Sequence, residues 1–418
     1  MIDRINNYIK YSSNKRIIEN IFSLGGLKGA TMLLPIIIIP HLIKSIGLEL
    51  VGLLALAVSI TAYLQTLINY GFAYTATREI SRNNLDKNKN TATFYNVIYC
   101  QLILIALSFF ILIFLRLFIP FINDNFLLLL LSLAHVSIVS ISPSWFFQGV
   151  EDMKKIAGGE ITGKIFSFLM ILIFVKKPND VLLVPLLYLI GQVLSLYIYG
   201  LFIKKYIYIS NPPKFIFETI KRRLVDGWSM FINILMPNFY NNYSYLAIGY
   251  FSNLSAVAAY DIVRRIMNIS EQTIGIISKV YYPVLSSNFH RFNKFLKVIF
   301  SIALIVFLMQ IIFSFIGAMF LANTSLNIDT RLLYIQSFAP LILAFELAYG
   351  INFLGVNNQD RLLKNITILS SVIGFILVSV LTFKFAALGA LIGVLLTILI
   401  KAIISYKMSN KYSIMVNR

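Results

Sequence analysis

Apolar stretches of membrane-spanning length alternate along this chain with short polar, basic intervals. The apolar runs cover 21–43, 51–70, 94–119, 126–147, 156–175 and 181–203, and after a polar gap 228–250, 256–281, 298–321, 332–354, 366–383 and 388–406. Each comes close to the roughly 20 residues a helix needs to cross a bilayer. The pattern predicts an all-α integral membrane protein with twelve transmembrane helices. Six fall in an N-terminal half at 1–203 and six in a C-terminal half at 228–418, with a cytoplasmic linker at 204–227. The linker contains Asn211-Pro212-Pro213 and the basic run Lys221-Arg222-Arg223, and it reads first as a positively charged interfacial anchor.

The eighth stretch departs from the rule that spans are apolar. At about 100° per residue, Asp261, Arg265, Asn268, Gln272, Gly275 and Lys279 fall within roughly 40° of one line, flanked by Arg264 and Glu271. The opposite side carries Val263, Ile266, Ile269, Ile274, Ile277 and Val280. The stripe runs about 27 Å at 1.5 Å per residue, nearly the thickness of a hydrocarbon core. A centred Arg or Lys costs roughly 2.5–3.5 kcal/mol to insert, so three cations facing lipid are disfavoured. One reading has Asp261–Arg265 and a Glu271 pair gluing helices together. The other makes the stripe the wall of a cationic, water-filled cavity, because two acids cannot neutralise Arg264, Arg265 and Lys279.

Composition agrees with the membrane assignment. The chain is 58% hydrophobic and only 13% charged, with a mean hydropathy of +0.81, where soluble domains carry roughly 25% charged residues. Its net charge of +19 would suit nucleic acid. However, the cations cluster at 78–89, 204–223, 291–297 and 407–418, on one side of the predicted topology. The other side holds Lys44, Arg116, Lys176, Lys177, Arg331 and Lys384. This bias places both termini in the cytoplasm and removes the nucleic-acid reading. Cys100 is the one cysteine, which excludes a disulfide framework and a thiolate metal site. Residues 1–20 read as a polar cytoplasmic leader without a cleavage site.

Several segments carry a family likeness. Pro35-Ile-Ile-Ile-Ile-Pro40 through Gly47-Leu-Glu49-Leu-Val-Gly52, Asn69-Tyr70-Gly71-Phe72 and Ala76-Thr77-Arg78-Glu79-Ile80 resemble the opening of the O-antigen flippases. Those proteins form the polysaccharide-transporter branch of the multidrug/oligosaccharidyl-lipid/polysaccharide exporter superfamily. Ser144-Trp145-Phe146-Phe147-Gln148-Gly149 is similar to the pattern ending their fourth helix, and 238–261 to their seventh and eighth helices. The likeness loosens after about residue 300. It implies two six-helix bundles around a central cavity. It also implies flipping of an undecaprenyl-pyrophosphate-linked oligosaccharide from the cytoplasmic to the periplasmic leaflet of a bacterial inner membrane.

Such a cargo suits the residues. A pyrophosphate is compact and anionic, and guanidinium and ammonium groups are its natural partners. Lys28, Arg264, Arg265 and Lys279 are therefore expected to bind it, with snorkelling to the interface the competing role for Lys28. Asn238, Tyr240, Asn241 and Asn242 on the seventh span are expected sugar contacts, against the interfacial-anchor role usual for Tyr. Asp261, Glu271 and Glu346 are the acids expected to couple transport to H+ or Na+. Lys401, His135 and the Glu160–Lys164 pair are further ionisable groups within spans.

No cofactor, metal or enzyme chemistry is expected, since the chain lacks a P-loop, a Cys/His cluster and a nucleophile triad. A multidrug or other lipid-linked glycan exporter of the same superfamily is the alternative. Cationic drugs suit the cationic stripe poorly. A membrane O-antigen polymerase is the more distant reading, because outer loops such as 322–331 are short. The expected partners are the lipid-linked oligosaccharide, the membrane and the O-antigen polymerase machinery, with the chain acting as a monomer.

Overall fold

The computed structural model describes residues 37–83, 86–209, 212–322 and 329–416, with Gly29, Leu34 and Pro35 besides. Every regular element among them is helical. Among the described residues, eight helices are long and apolar enough to cross a membrane by length and composition, as expected for a multi-pass membrane protein. The chain divides into two compact units, one of residues 1–46 and 61–234, the other of 47–60 and 235–418.

The first unit holds α1 (Ile37–Ile46), the later part of α2 (Leu48–Asn69), α3 (Phe72–Arg82), α4 (Lys87–Arg116), α5 (Pro120–Asp124) and α6 (Phe126–Ile141). It continues with α7 (Ser144–Gly149), α8 (Met153–Phe174), α9 (Leu183–Ile203) and the start of α10 (Phe217–Phe251). Helix α10 therefore begins inside the interval expected as linker. Helix α4 likewise starts before its apolar run, because the Asp86 carboxylate caps the backbone N–H groups of Asn88 and Lys89. Polar side chains near this end pair with one another: Asn83 donates to Asn90 at 3.1 Å, and Thr93 to Glu79 at 2.7 Å. Glu79 also accepts both terminal nitrogens of Arg223 at 2.9 and 3.1 Å, which ties α3 to the start of α10.

Helices α8 and α9 meet along small residues. The Ser167 hydroxyl donates to the carbonyls of Gly163 and Leu187, and that of Ser195 to Gly191. A Cβ on Gly163 would overlap the Gly191 carbonyl and the Ser195 hydroxyl. Close approach of backbones, the usual helix-pairing device in lipid, requires glycine there. Gly163→Ala is expected to destabilise the protein by about 1–3 kcal/mol through overpacking. Gly158→Ala, with open space around its Cβ, is the control. Thermal unfolding of the detergent-purified variants measures both.

The second unit takes in the start of α2, the rest of α10, α11 (Leu254–Ser287), α12 (Phe292–Ala322), α13 (Arg331–Gln336), α14 (Ala339–Tyr349) and α15 (Asp360–Val416). A π-helical turn, Gly350–Gly355, follows α14. Gly52 of α2 lies directly against the Leu254 carbonyl that opens α11. Helix α15 is two arms: the backbone leaves helical geometry at Ala386 (φ 48°, ψ −131°). Beyond that point Thr397 returns to Gly374, Gly393 to Val378 and Gly389 to Leu381, the pairing of an antiparallel hairpin. The reversal falls between the apolar runs 366–383 and 388–406. A core of Ile274, Phe295, Ile299, Ala344 and Leu354 joins α11, α12, α14 and the π turn. Ahead of α13, Asp329 accepts from the Arg331 side chain and backbone, which holds its carboxyl below the usual range.

Candidate functional site

The site is built on α11, 34 residues and about 50 Å long, capped by Asn253, whose side chain accepts from the Ala256 N–H. Its charges separate into a closed end and an open end. At the closed end Arg265 Nε donates to Asp261 at 2.7 Å, and the other oxygen of Asp261 accepts the Tyr245 hydroxyl at 3.1 Å. Arg264 is more deeply set, its side chain 8% exposed. One terminal nitrogen donates to Glu271 at 2.8 Å and to the Met267 sulfur, and the other to the Asn241 side-chain oxygen at 3.2 Å. The two arginines and two acids thus cancel in net charge, and the forks are held by carboxylates of their own helix.

The open end is different. Asn268, Gln272 and Lys279 are exposed, and nothing lies within 4 Å of where a Cβ on Gly275 would stand. No carboxylate pairs with Lys279 among the described residues. The face behind it is packed: Val263 and Ile274 are buried, and Gln310 of α12 reaches Ser270 and the Ile266 carbonyl. The helix therefore exposes a polar, singly cationic strip and buries Val263 and Ile274 behind it, while Ile276 and Val280 are exposed beside the strip. The formal charge over Asp261, Arg264, Arg265, Glu271 and Lys279 is +1.

The remaining expected site residues fall in several places. Lys28 lies outside the described residues. On α10, Asn241 is the acceptor for Arg264, Asn238 and Asn242 are partly exposed, and Tyr240 is within the helix. Glu346 is buried on α14, 2.7 Å from the Lys401 ammonium of the second α15 arm, in the same unit as α11 but on different helices.

Sequence reasoning left several partners unassigned. Tyr245 anchors Asp261, Tyr260 accepts from Ser244, and Tyr243 pairs with Ser379 of α15. The phenols of α10 thus serve helix contacts, in addition to any role with sugar. The Glu346–Lys401 pair had a readable signal: two opposite charges in apolar runs of one half are expected to find each other. The Glu79–Arg223 bridge had none, since 144 residues separate its partners.

Comparison with known proteins places this architecture. A protein named "Putative O-antigen transporter" from Escherichia coli (strain K12) is 25% identical over 395 residues, covering 91% of this chain and 93% of its own. In fold, the chain is similar to the lipid II flippase MurJ in an inward closed conformation. The TM-score is 0.66 at 16% identity, over 90% of this chain and 86% of that one. It is also similar to an inward-facing multidrug resistance MATE family transporter of the MOP superfamily. There the TM-score is 0.64 at 14% identity, over 91% and 98% of the two chains. The family model described as "Polysaccharide biosynthesis protein" matches residues 17–289, well over half of the 418. The chain is therefore a multi-pass membrane protein that belongs to the polysaccharide biosynthesis protein family.

Proposed function

We propose that this protein flips an undecaprenyl-diphosphate-linked O-antigen repeat unit from the cytoplasmic to the periplasmic leaflet of a bacterial inner membrane, by alternating access. The observation that carries the reading is the open half of α11, where the polar side chains of Asn268, Gln272 and Lys279 are exposed along one strip of the helix. A headgroup with two phosphates and attached sugars needs an ammonium and amide donors on a surface water can reach. Membership of the family and the likeness to an O-antigen transporter support the same cargo. Arg265, part-exposed, is the second phosphate partner. Asn238, Asn241, Asn242 and Tyr240 on α10 complete the proposed contact set on this unit.

The driving force follows from charge. An anionic headgroup leaving a negative interior gains about 2.3 kcal/mol per charge per 100 mV. Asp261, Glu271 and Glu346 are the acids that add an ion gradient to this. The test is deletion and complementation. Loss of the gene is expected to leave lipid-linked repeat units on the cytoplasmic face and to remove surface polymer. Single repeat units capping the outer surface would point to polymerisation, and drug sensitivity without a polysaccharide defect to multidrug export.

A further inference from the structure

The first unit carries a surface apart from the α11 stripe, at the joint between α9 and α10. Residues 206–209 and 212–216 lie as a non-helical strap along the first turns of α4. The Tyr208 N–H donates to the Thr91 hydroxyl at 2.9 Å, and the Tyr95 and Tyr99 hydroxyls donate to the carbonyls of Ile209 and Pro213, both at 3.0 Å. The Lys87 ammonium packs on the Tyr208 ring, and Phe215 meets the Tyr99 ring edge-on. Arg223 then joins the Glu79 carboxylate that also accepts Thr93. The strap and the opening turns of α10 are thus fixed beside residues 87–99 of α4, where Lys87-Asn-Lys-Asn90 gives way to Phe94-Tyr-Asn-Val-Ile-Tyr99. In a multi-pass protein such a change from polar to apolar marks the level of the lipid headgroups.

The chain held at that level is two-sided. At about 100° per residue Ile220, Arg223 and Gly227 share one side of α10, and there Ile220 and Gly227 are buried. Phe217, Lys221, Val225 and Trp228 fall within about 80° of one another on an exposed edge. With Phe215 and Ile216 this leaves five apolar side chains between 53% and 66% exposed. Residues 204–226 hold six cations and two acids, and Glu79 takes up only Arg223. Lys214, Lys221 and Arg222 are exposed, and none forms an ion pair among the described residues. The two acids, Glu218 and Asp226, are also exposed and flank Arg222 on the polar side of the helix. Topology alone accounts for cations at this end of the spans, but not for large apolar side chains left open among them. Apolar side chains that dip below the headgroups, flanked by cations that reach the phosphates, bind an acidic bilayer surface. A zwitterionic surface would leave the excess cations without counter-charge. We infer that residues 212–228 are a foot set in the leaflet at this end of α4 and that it binds acidic phospholipid. Lys214, Lys221 and Arg222 meet the headgroup phosphates, and Phe217, Val225 and Trp228 lie among the acyl chains beneath. This rests on the membrane assignment and not on the cargo.

The chain has two tryptophans, Trp228 on the foot and the buried Trp145, so a reporter is already in place. The test reconstitutes the full-length Trp145→Phe protein in phosphatidylcholine vesicles holding a fixed fraction of phospholipid brominated on its acyl chains, a short-range quencher of indole fluorescence. The brominated lipid is phosphatidylglycerol in one series and phosphatidylcholine in the other. Both are expected to quench Trp228, with phosphatidylglycerol preferred at least about fivefold, the factor one cation near an acidic surface is worth. The preference should fall toward unity at about 1 M salt. It should also vanish when Lys214→Gln, Lys221→Gln and Arg222→Gln are combined, exposed positions whose replacement leaves folding intact. Absence of quenching by either lipid overturns the inference, since Trp228 then faces water or protein. Equal quenching by the two overturns it as well, as does a preference that survives the triple substitution. Should the triple variant not fold, the single substitutions are read in its place, each expected to weaken the preference. Should Trp145→Phe not fold, the native protein is read with the buried Trp145 as a constant background. No glycan enters the assay, so this result and the cargo assignment stand or fall separately.

Discussion

Lys279→Ala is expected to cut the movement of the lipid-linked glycan at least about tenfold while the protein still folds and inserts. The side chain is exposed and has no carboxylate partner among the described residues, and truncations at such positions usually change stability by no more than about 0.5 kcal/mol. A charge-assisted bond to phosphate is worth about 1.5–3 kcal/mol, and each 1.4 kcal/mol is about a factor of ten. Lys279→Arg, which keeps the charge, should retain most of the rate. Arg265→Ala is the less informative substitution. It would strand Asp261, whose side chain is only 10% exposed, so lost transport there mixes binding with local collapse. Flipping rates in proteoliposomes, read beside thermal unfolding of the same preparations, separate the two effects.

The largest expected stability loss is at Glu346 and Lys401. With side chains 8% and 19% exposed, removing one partner leaves the other charge buried and unpaired, a loss of about 3–5 kcal/mol. Replacing both, Glu346→Leu with Lys401→Met, should recover most of it, because two apolar groups of similar size need no counter-charge. A double-mutant cycle on thermal unfolding checks this. Strong coupling is expected, since the singles should be far more harmful than the pair. The Arg264–Glu271 pair should give a smaller cycle, since Glu271 is 33% exposed and can be rehydrated when its arginine is lost.

The sequence pattern made the helices readable wherever apolar runs were bounded by charge. Lys384 interrupts the last long run, and the chain reverses close by at Ala386. Helix ends were less readable where capping, and not hydropathy, sets them, as at Asp86, or where a polar helix runs on past its apolar part, as in 217–227 of α10. The stripe on α11 was visible as a periodicity, but its division into a closed and an open end was not. That division depends on Tyr245 and Asn241, which arrive from α10 and carry no charge to announce the contact. The intrahelical pairs Asp261–Arg265 and Arg264–Glu271 form on the stripe, while Asn268, Gln272 and Lys279 stay exposed further along it. The Glu79–Arg223 bridge shows the limit most plainly, since only the fold brings residues so far apart in the chain together.

The central claim is that the open face of α11 meets water and a diphosphate. A cysteine at Gly275 tests it directly, because its Cβ has open space and the native Cys100 is buried. In vesicles, Gly275→Cys is predicted to react with a water-soluble maleimide and to be protected by an undecaprenyl-diphosphate-linked oligosaccharide. A thiol that reacts only with a lipophilic reagent, or whose labelling is untouched by that glycan, would contradict the account.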